Sequence, residues 1–262
     1  MEISFFDYSI RAAALTDIGR KRKTNQDEAI AAPEVGFFGV SDGMGGLQEG
    51  AAASNYVRRA MPLLLETCAG EWKTQKPAPE SVGKDLENLV QMLSDRLFMQ
   101  GNTKKYYRFG ATLAGVLLYG QHAVFVCLGD SRGYILRRFK RVPAQITQDM
   151  NAAGLLVRNG EMTREEALVS PASSRLYAFV GMSVPASPEI FVEKIRPGDR
   201  ILLCSDGLYG MVPEREMARI MRSSKSPDRV CQRLVEAANQ YGGRDNISAV
   251  YIKVEKKLDS SY

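Results

Sequence analysis

Three short apolar runs in this chain each end on an aspartate flanked by glycine or serine. Residues 37–40 lead into Ser41-Asp42-Gly43, residues 125–128 into Gly129-Asp130-Ser131, and residues 201–204 into Ser205-Asp206-Gly207. A fourth aspartate, Asp245, stands just ahead of the apolar alternation Ile247, Ala249, Tyr251. Runs of this length read as buried strands, and the glycines leave room for close backbone approach. One aspartate at a strand edge is ordinary turn chemistry. Four are harder to dismiss, because strands of one sheet bring their ends together. Converging carboxylates repel unless a cation sits among them. The pattern implies a carboxylate-walled metal site at one end of a sheet.

The remaining residues indicate helices packed on antiparallel strands. A strand is expected over 9–15, then a polar, basic turn over 16–24 leading to Asn25-Gln26-Asp27. Residues 50–68 read as a helix that Pro62 should kink or split, and 70–79, with two prolines, as a loop. Val82, Leu86, Leu89, Val90, Leu93 and Leu97 form the stripe of an amphipathic helix over 81–100. Two strands flank the hairpin signal Tyr119-Gly120-Gln121, and 132–138 continues the meander. Strands at 190–195 and 200–204 surround the turn Pro197-Gly198. Helices follow from Pro213 and from Ser226, the latter with Pro227 at its first position and Gly242 as its stop. The more polar stretch 150–188, with a capping-box match at Thr163–Glu166, reads as an insertion over one sheet end. A single domain over 1–262 with a flap-like insertion at about 150–188 is the expected organisation.

Composition narrows the setting. The four cysteines, Cys68, Cys127, Cys204 and Cys231, are scattered without a Cys-x-x-Cys, as expected of free thiols in a reducing cytoplasm. No run approaches the roughly 18 apolar residues of a membrane span, and no signal peptide is evident. The net charge of +5 comes from short, separate basic groups without interleaved aromatics. That reads as solvated surface rather than a nucleic-acid interface, and it is compatible with an anionic substrate. A monomer is expected.

The missing chemistry is equally informative. His122 is the one histidine, so a zinc site is not expected; all-oxygen ligands select Mg²⁺ or Mn²⁺. There is no cysteine-phosphatase loop, no Asp-x-Asp and no Gly-Lys-Ser/Thr. Gly39-Val40-Ser41-Asp42-Gly43 does match the Gly-x-Ser-x-Gly nucleophile elbow. A remote serine-hydrolase alternative built on Ser41 would need His122 as its base.

Thr16-Asp17-x-Gly19-x-x-Arg22-x-x-Asn25-Gln26-Asp27, Asp42-Gly43-Met44-Gly45-Gly46, Gly110-Ala111-Thr112-Leu113, Gly129-Asp130-Ser131-Arg132, Ser205-Asp206-Gly207-Leu208 and Gly243-Arg244-Asp245-Asn246 occur in that order. The set resembles the metal-dependent Ser/Thr protein phosphatases of type 2C, compact bacterial type, over about residues 15–254. The resemblance implies an α+β fold, a four-layer α-β-β-α sandwich of two antiparallel sheets flanked by helices. It implies hydrolysis of phosphoserine and phosphothreonine by in-line attack of a metal-bridging hydroxide. The substrates would be phosphorylated proteins, among them a cognate Ser/Thr kinase or its targets. In this likeness Asp42 bridges two Mn²⁺ or Mg²⁺ ions and the Gly43 carbonyl is a ligand of one. Asp206 and Asp245 hold the other, and Asp27 holds metal-bound water. Asp130 with Asp206 accommodates a weaker third ion, and Arg22 binds phosphate. Two positions depart from the pattern: Met44 stands where many members have a proton-donating His, and Gln26 where others carry Glu. A non-catalytic metal- or phosphopeptide-binding regulator is the alternative from another class.

Overall fold

Side chains alternate across the apolar runs, and each run feeds two hydrophobic layers at once. The computed structural model describes residues 6–46, 48–102, 109–182 and 185–257. The chain opens with strands β1 (Ser9–Asp17), β2 (Asp27–Ala32) and β3 (Phe37–Met44), then helices α1 (Glu49–Gln75) and α2 (Pro79–Asn102). Five strands follow: β4 (Gly110–Ala111), β5 (Leu113–Tyr119), β6 (His122–Leu128), β7 (Arg132–Leu136) and β8 (Ala144–Gln145). Short helices α3 (Ala152–Arg158) and α4 (Arg164–Val169) precede β9 (Glu189–Lys194) and β10 (Arg200–Cys204). Helices α5 (Asp206–Tyr209), α6 (Glu214–Met221) and α7 (Pro227–Gln240) lead to β11 (Ile247–Glu255).

Two antiparallel sheets result, ordered β1-β11-β10-β7-β8 and β2-β3-β5-β6-β9, with β4 added to β3. In β10, Ile201 and Leu203 enter the layer between the sheets with Phe38, Phe125 and Val250. Leu202 and Cys204 of the same strand face Met217, Val230 and Leu234 of α6 and α7. In β6, Val124 and Val126 meet Leu86 and Leu93 of α2 while Phe125 points between the sheets. Three apolar layers therefore separate four layers of structure, the expected α-β-β-α sandwich.

Two local expectations are corrected. Helix α1 runs unbroken through Pro62 and on to Gln75, so the loop expected over 70–79 shrinks to the link 76–78. Pro62 removes one backbone bond and costs about 3 kcal/mol. Burying Val57, Met61, Leu64, Leu65 and Trp72 along one face, at about 1.5–3 kcal/mol each, outweighs that cost. Pro79 then serves as the first residue of α2, where its missing N–H matters least.

Antiparallel pairing places the aspartates at one pole. β3, β6 and β10 run towards it and end at Asp42, Asp130 and Asp206; β2 and β11 begin there, at Asp27 and just after Asp245. His122 lies at the other pole, paired with Tyr119 and Lys194.

Candidate active site

Asp27 opens β2 directly opposite Asp42 in the β2–β3 ladder. Asp27 is buried, its Oδ2 accepting a 2.6 Å hydrogen bond from the Ser205 hydroxyl, which in turn accepts from the Ser248 N–H. Thr112 fixes Asp42 twice: its N–H donates to the Asp42 carbonyl at 2.8 Å, and its hydroxyl accepts from the Asp42 N–H at 2.9 Å. Glycine is required at the next position, since a Cβ on Gly43 would come within 2.0 Å of the Gly50 carbonyl. The start of α1 can thus press against the end of β3.

Asp130, Asp206 and Asp245 line one cleft of about 500 Å³, walled on its far side by α4 and residues 170–174. Asp206 is the first residue of α5, whose short turn follows β10 at once. Asp130 Oδ2 accepts from the Asn151 side-chain amide at 3.2 Å, and its carbonyl accepts from the Tyr209 hydroxyl at 3.0 Å. Asp245 Oδ1 accepts from the Asn246 N–H at 2.8 Å, and Oδ2 from Arg22 Nη2 at 2.6 Å.

Four of these carboxyl groups, Asp27, Asp42, Asp130 and Asp206, resist ionisation. Burial pushes Asp27 up to about 6 against the pull of the Ser205 hydroxyl. Asp130 also rises to about 6, through burial and then the charge of Asp149. Asp42 is held well above the carboxylate range, first by burial and then by the charges of Asp27, Asp206, Asp130 and Asp245. Asp206 is raised likewise, by burial and then by Asp130, Asp245 and Asp27. After burial, the charges that raise Asp42 and Asp206 come from the other acids of this pole, which lie within electrostatic reach of one another.

Arg22 reaches this region from the exposed turn between β1 and β2. Its hydrogen bond to Asp245 raises its pKa, so the guanidinium is a permanent charge. Only one of its five donors is committed to Asp245.

Several positioning residues carry no signal of their own in the sequence. Asn246, buried, accepts from the Gln26 N–H and donates to the carbonyls of Ile18 and Thr24, binding the Arg22 turn to Asp245. Arg132 forms a two-point pair with Asp149 at 2.9 and 2.7 Å and stacks 3.7 Å above the Tyr209 ring. Asn151 both caps α3, accepting from the Gly154 N–H, and holds Asp130. Arg132 and Asn246 do sit inside the Gly-Asp-Ser-Arg and Arg-Asp-Asn runs, but their partners lie far away in sequence. Ser41 is fully buried and donates to the Thr112 carbonyl, about 20 Å along the sheet from His122. The nucleophile-elbow alternative therefore has neither an exposed serine nor a base.

The donor set fits hard divalent cations. Every candidate ligand atom is oxygen, and two buried carboxylate oxygens, Asp27 Oδ1 and Asp206 Oδ1, have no hydrogen-bond partner among the described residues. Among those residues no three His, Cys, Asp or Glu side chains stand in ligating geometry; Asp27, Asp130 and Asp245 each accept instead from Ser205, Asn151 and Arg22. No helix among them is long and apolar enough to cross a membrane.

Comparison with known proteins agrees with this architecture. The chain is 30% identical over 255 residues to the serine/threonine phosphatase stp of Listeria innocua, covering 94% of this chain and 98% of that one. The Mycobacterium tuberculosis serine/threonine phosphatase PstP/Ppp superposes with a TM-score of 0.76 at 30% identity, over 94% of this chain and 99% of that chain. A structure of the PstP catalytic domain with two manganese ions gives a TM-score of 0.77 at 29% identity, over 94% of this chain and 99% of that chain. The profile of the Protein phosphatase 2C family matches residues 20–249. With that match across most of its length, the chain belongs to the protein phosphatase 2C family of serine/threonine phosphatases.

Proposed function

We propose that this chain hydrolyses phosphoserine and phosphothreonine in proteins with the help of divalent cations held at the aspartate pole. The observation that carries the reading is the opposed pair Asp27 and Asp42, facing Asp206 and Asp245, with two orphaned carboxylate oxygens among them. Asp42 and the Gly43 carbonyl, with Asp206 and Asp245, would hold two ions, and Asp27 would orient water beside them. Asp130 with Asp206 would hold a weaker third. Bound there, Mn²⁺ or Mg²⁺ supplies positive charge and makes a coordinated water acidic enough to serve as nucleophile at neutral pH.

The protein's own groups do the remaining work. Asp42 is pinned by Thr112, so its position costs no reorganisation when charge develops. Arg22 keeps free donors that can take two phosphoryl oxygens at once and offset their charge. Serine or threonine of the substrate leaves as an alkoxide and needs a proton. Met44 cannot supply one, so the proton comes from a water in the cleft or is not supplied at the rate-limiting step. The stretch 150–188, whose α4 walls that cleft, is proposed as a flap over the site within a single domain.

The test is hydrolysis of a phosphothreonine peptide by chelator-treated protein before and after Mn²⁺ is restored. Turnover that returns with Mn²⁺ and is absent in Asp206→Asn supports the reading. Cation-independent turnover would reject it, and cation binding without turnover in the wild type would favour a non-catalytic regulator.

A further inference from the structure

A second concave site lies at the pole opposite the aspartates. It is a cavity of about 430 Å³ between the end of α1, the β5–β6 hairpin and the two ends of the described chain. Lys73, Lys76 and Lys257 line it, with Asp7 as the one carboxylate among the described lining residues, beside Trp72 and His122. None of the three lysines is in an ion pair among the described residues, whereas Lys84 and Lys253 both are. The C-terminal dipole of α1 accounts for a lysine at 73 or 76. It does not account for Lys257, which follows β11 and comes from the other end of the sequence. Lys76 also occupies a left-handed conformation, φ 47°, at the cap of α1, a position usually given to glycine. Three cations from two distant segments line one concavity against a single acid, an excess of two positive charges among the described residues.

We infer that this cavity binds a small dianion of the phosphate class, such as inorganic phosphate, pyrophosphate or a phosphorylated metabolite. The volume is that of a small-ligand pocket. A nucleic acid or membrane surface would instead be met by a stripe of charge, whereas these exposed lysines rim a hollow. The aspartate pole is about 25 Å away, the length of β6 and its neighbours, so the two sites are separate.

The molecule carries its own reporters. The chain contains one tryptophan and one histidine, and both line this cavity. The experiment titrates wild-type protein with pyrophosphate and, separately, inorganic phosphate, reading Trp72 fluorescence and the His122 imidazole resonances. A saturable change in both reporters is expected. In the double variant Lys73→Ala/Lys257→Ala affinity should fall at least about tenfold, the scale expected when charge-assisted contacts are lost. Arg22→Ala should leave the titration unmoved. Silent reporters, or unaltered affinity in the lysine variant, would overturn the proposal. So would loss of the signal in Arg22→Ala, which would trace it to the aspartate pole. Anionic vesicles or an RNA oligonucleotide acting at lower concentration than pyrophosphate would assign the lysines to a macromolecular surface and overturn it too.

Discussion

Asp27 and Asp42 occupy directly opposed positions of the β2–β3 ladder, two acids where a strand pair would ordinarily avoid like charges. Both carboxyls are raised by burial, Asp27 from 3.8 to about 6. An acid whose pKa is raised on folding binds its proton more tightly in the folded chain. Stability from this source is therefore present at low pH and is lost as pH rises through the window from about 4 to 6. Chelator-treated protein should melt at a lower temperature at pH 7.5 than at pH 5, with Asp27 contributing up to about 1.4 kcal/mol of that fall, the part of its shift that lies above pH 5. Asp27→Asn should flatten much of that fall. A melting temperature that rises steadily from pH 5 to 7.5 in chelator would contradict the raised acids.

Arg22 should matter for substrate rather than for folding, since its pair with Asp245 is half exposed and worth little to stability. Arg22→Ala is expected to raise KM for phosphopeptide and lower kcat, a combined loss of about ten- to a hundredfold in kcat/KM. Arg22→Lys should recover only part of it, having no planar fork. Full recovery by lysine would reduce Arg22 to a point charge.

Asn246 should show the opposite balance. It joins Gln26, Ile18 and Thr24 to the segment bearing Asp245, and truncation removes the partner of one N–H and two carbonyls in part-buried hydrogen bonds. Asn246→Ala is expected to cost about 2–4 kcal/mol of stability and to weaken cation binding as the Arg22 turn loosens. Thermal denaturation and cation titration check both. An unchanged melting temperature would mean water replaces the amide without cost.

Asp130 is held by Asn151 rather than by the other acids. Asp130→Asn should leave two tight cation sites intact while the cation concentration for half-maximal turnover rises. Metal titrations of wild type and variant that superimpose would remove the third site from the account.

The sequence made the aspartate pole legible because strands buried on both faces leave continuous apolar runs, and each run stops where its acid begins. Antiparallel strands covered by helices followed from the same runs and the turns between them, whereas the four-layer sandwich came from the family resemblance. The unbroken course of α1 was hidden, since Pro62 is a strong local signal and the buried face that overrides it is a property of the packed molecule. Residues that hold the acids in place were hidden for a related reason. Arg132 pairs with Asp149 in the loop beyond β8, and Asn246 with Ile18 at the end of β1, only once the chain has folded, and nothing in their immediate neighbours marks them.

The central claim is that Asp42 is the residue around which cations assemble. Calorimetric titration of Mn²⁺ into wild type and Asp42→Asn, with the fold of the variant checked by circular dichroism, tests it most directly. The account predicts two tight sites in the wild type, and binding that is lost or much weakened in a variant that remains folded. Superimposable isotherms for the two proteins would contradict it.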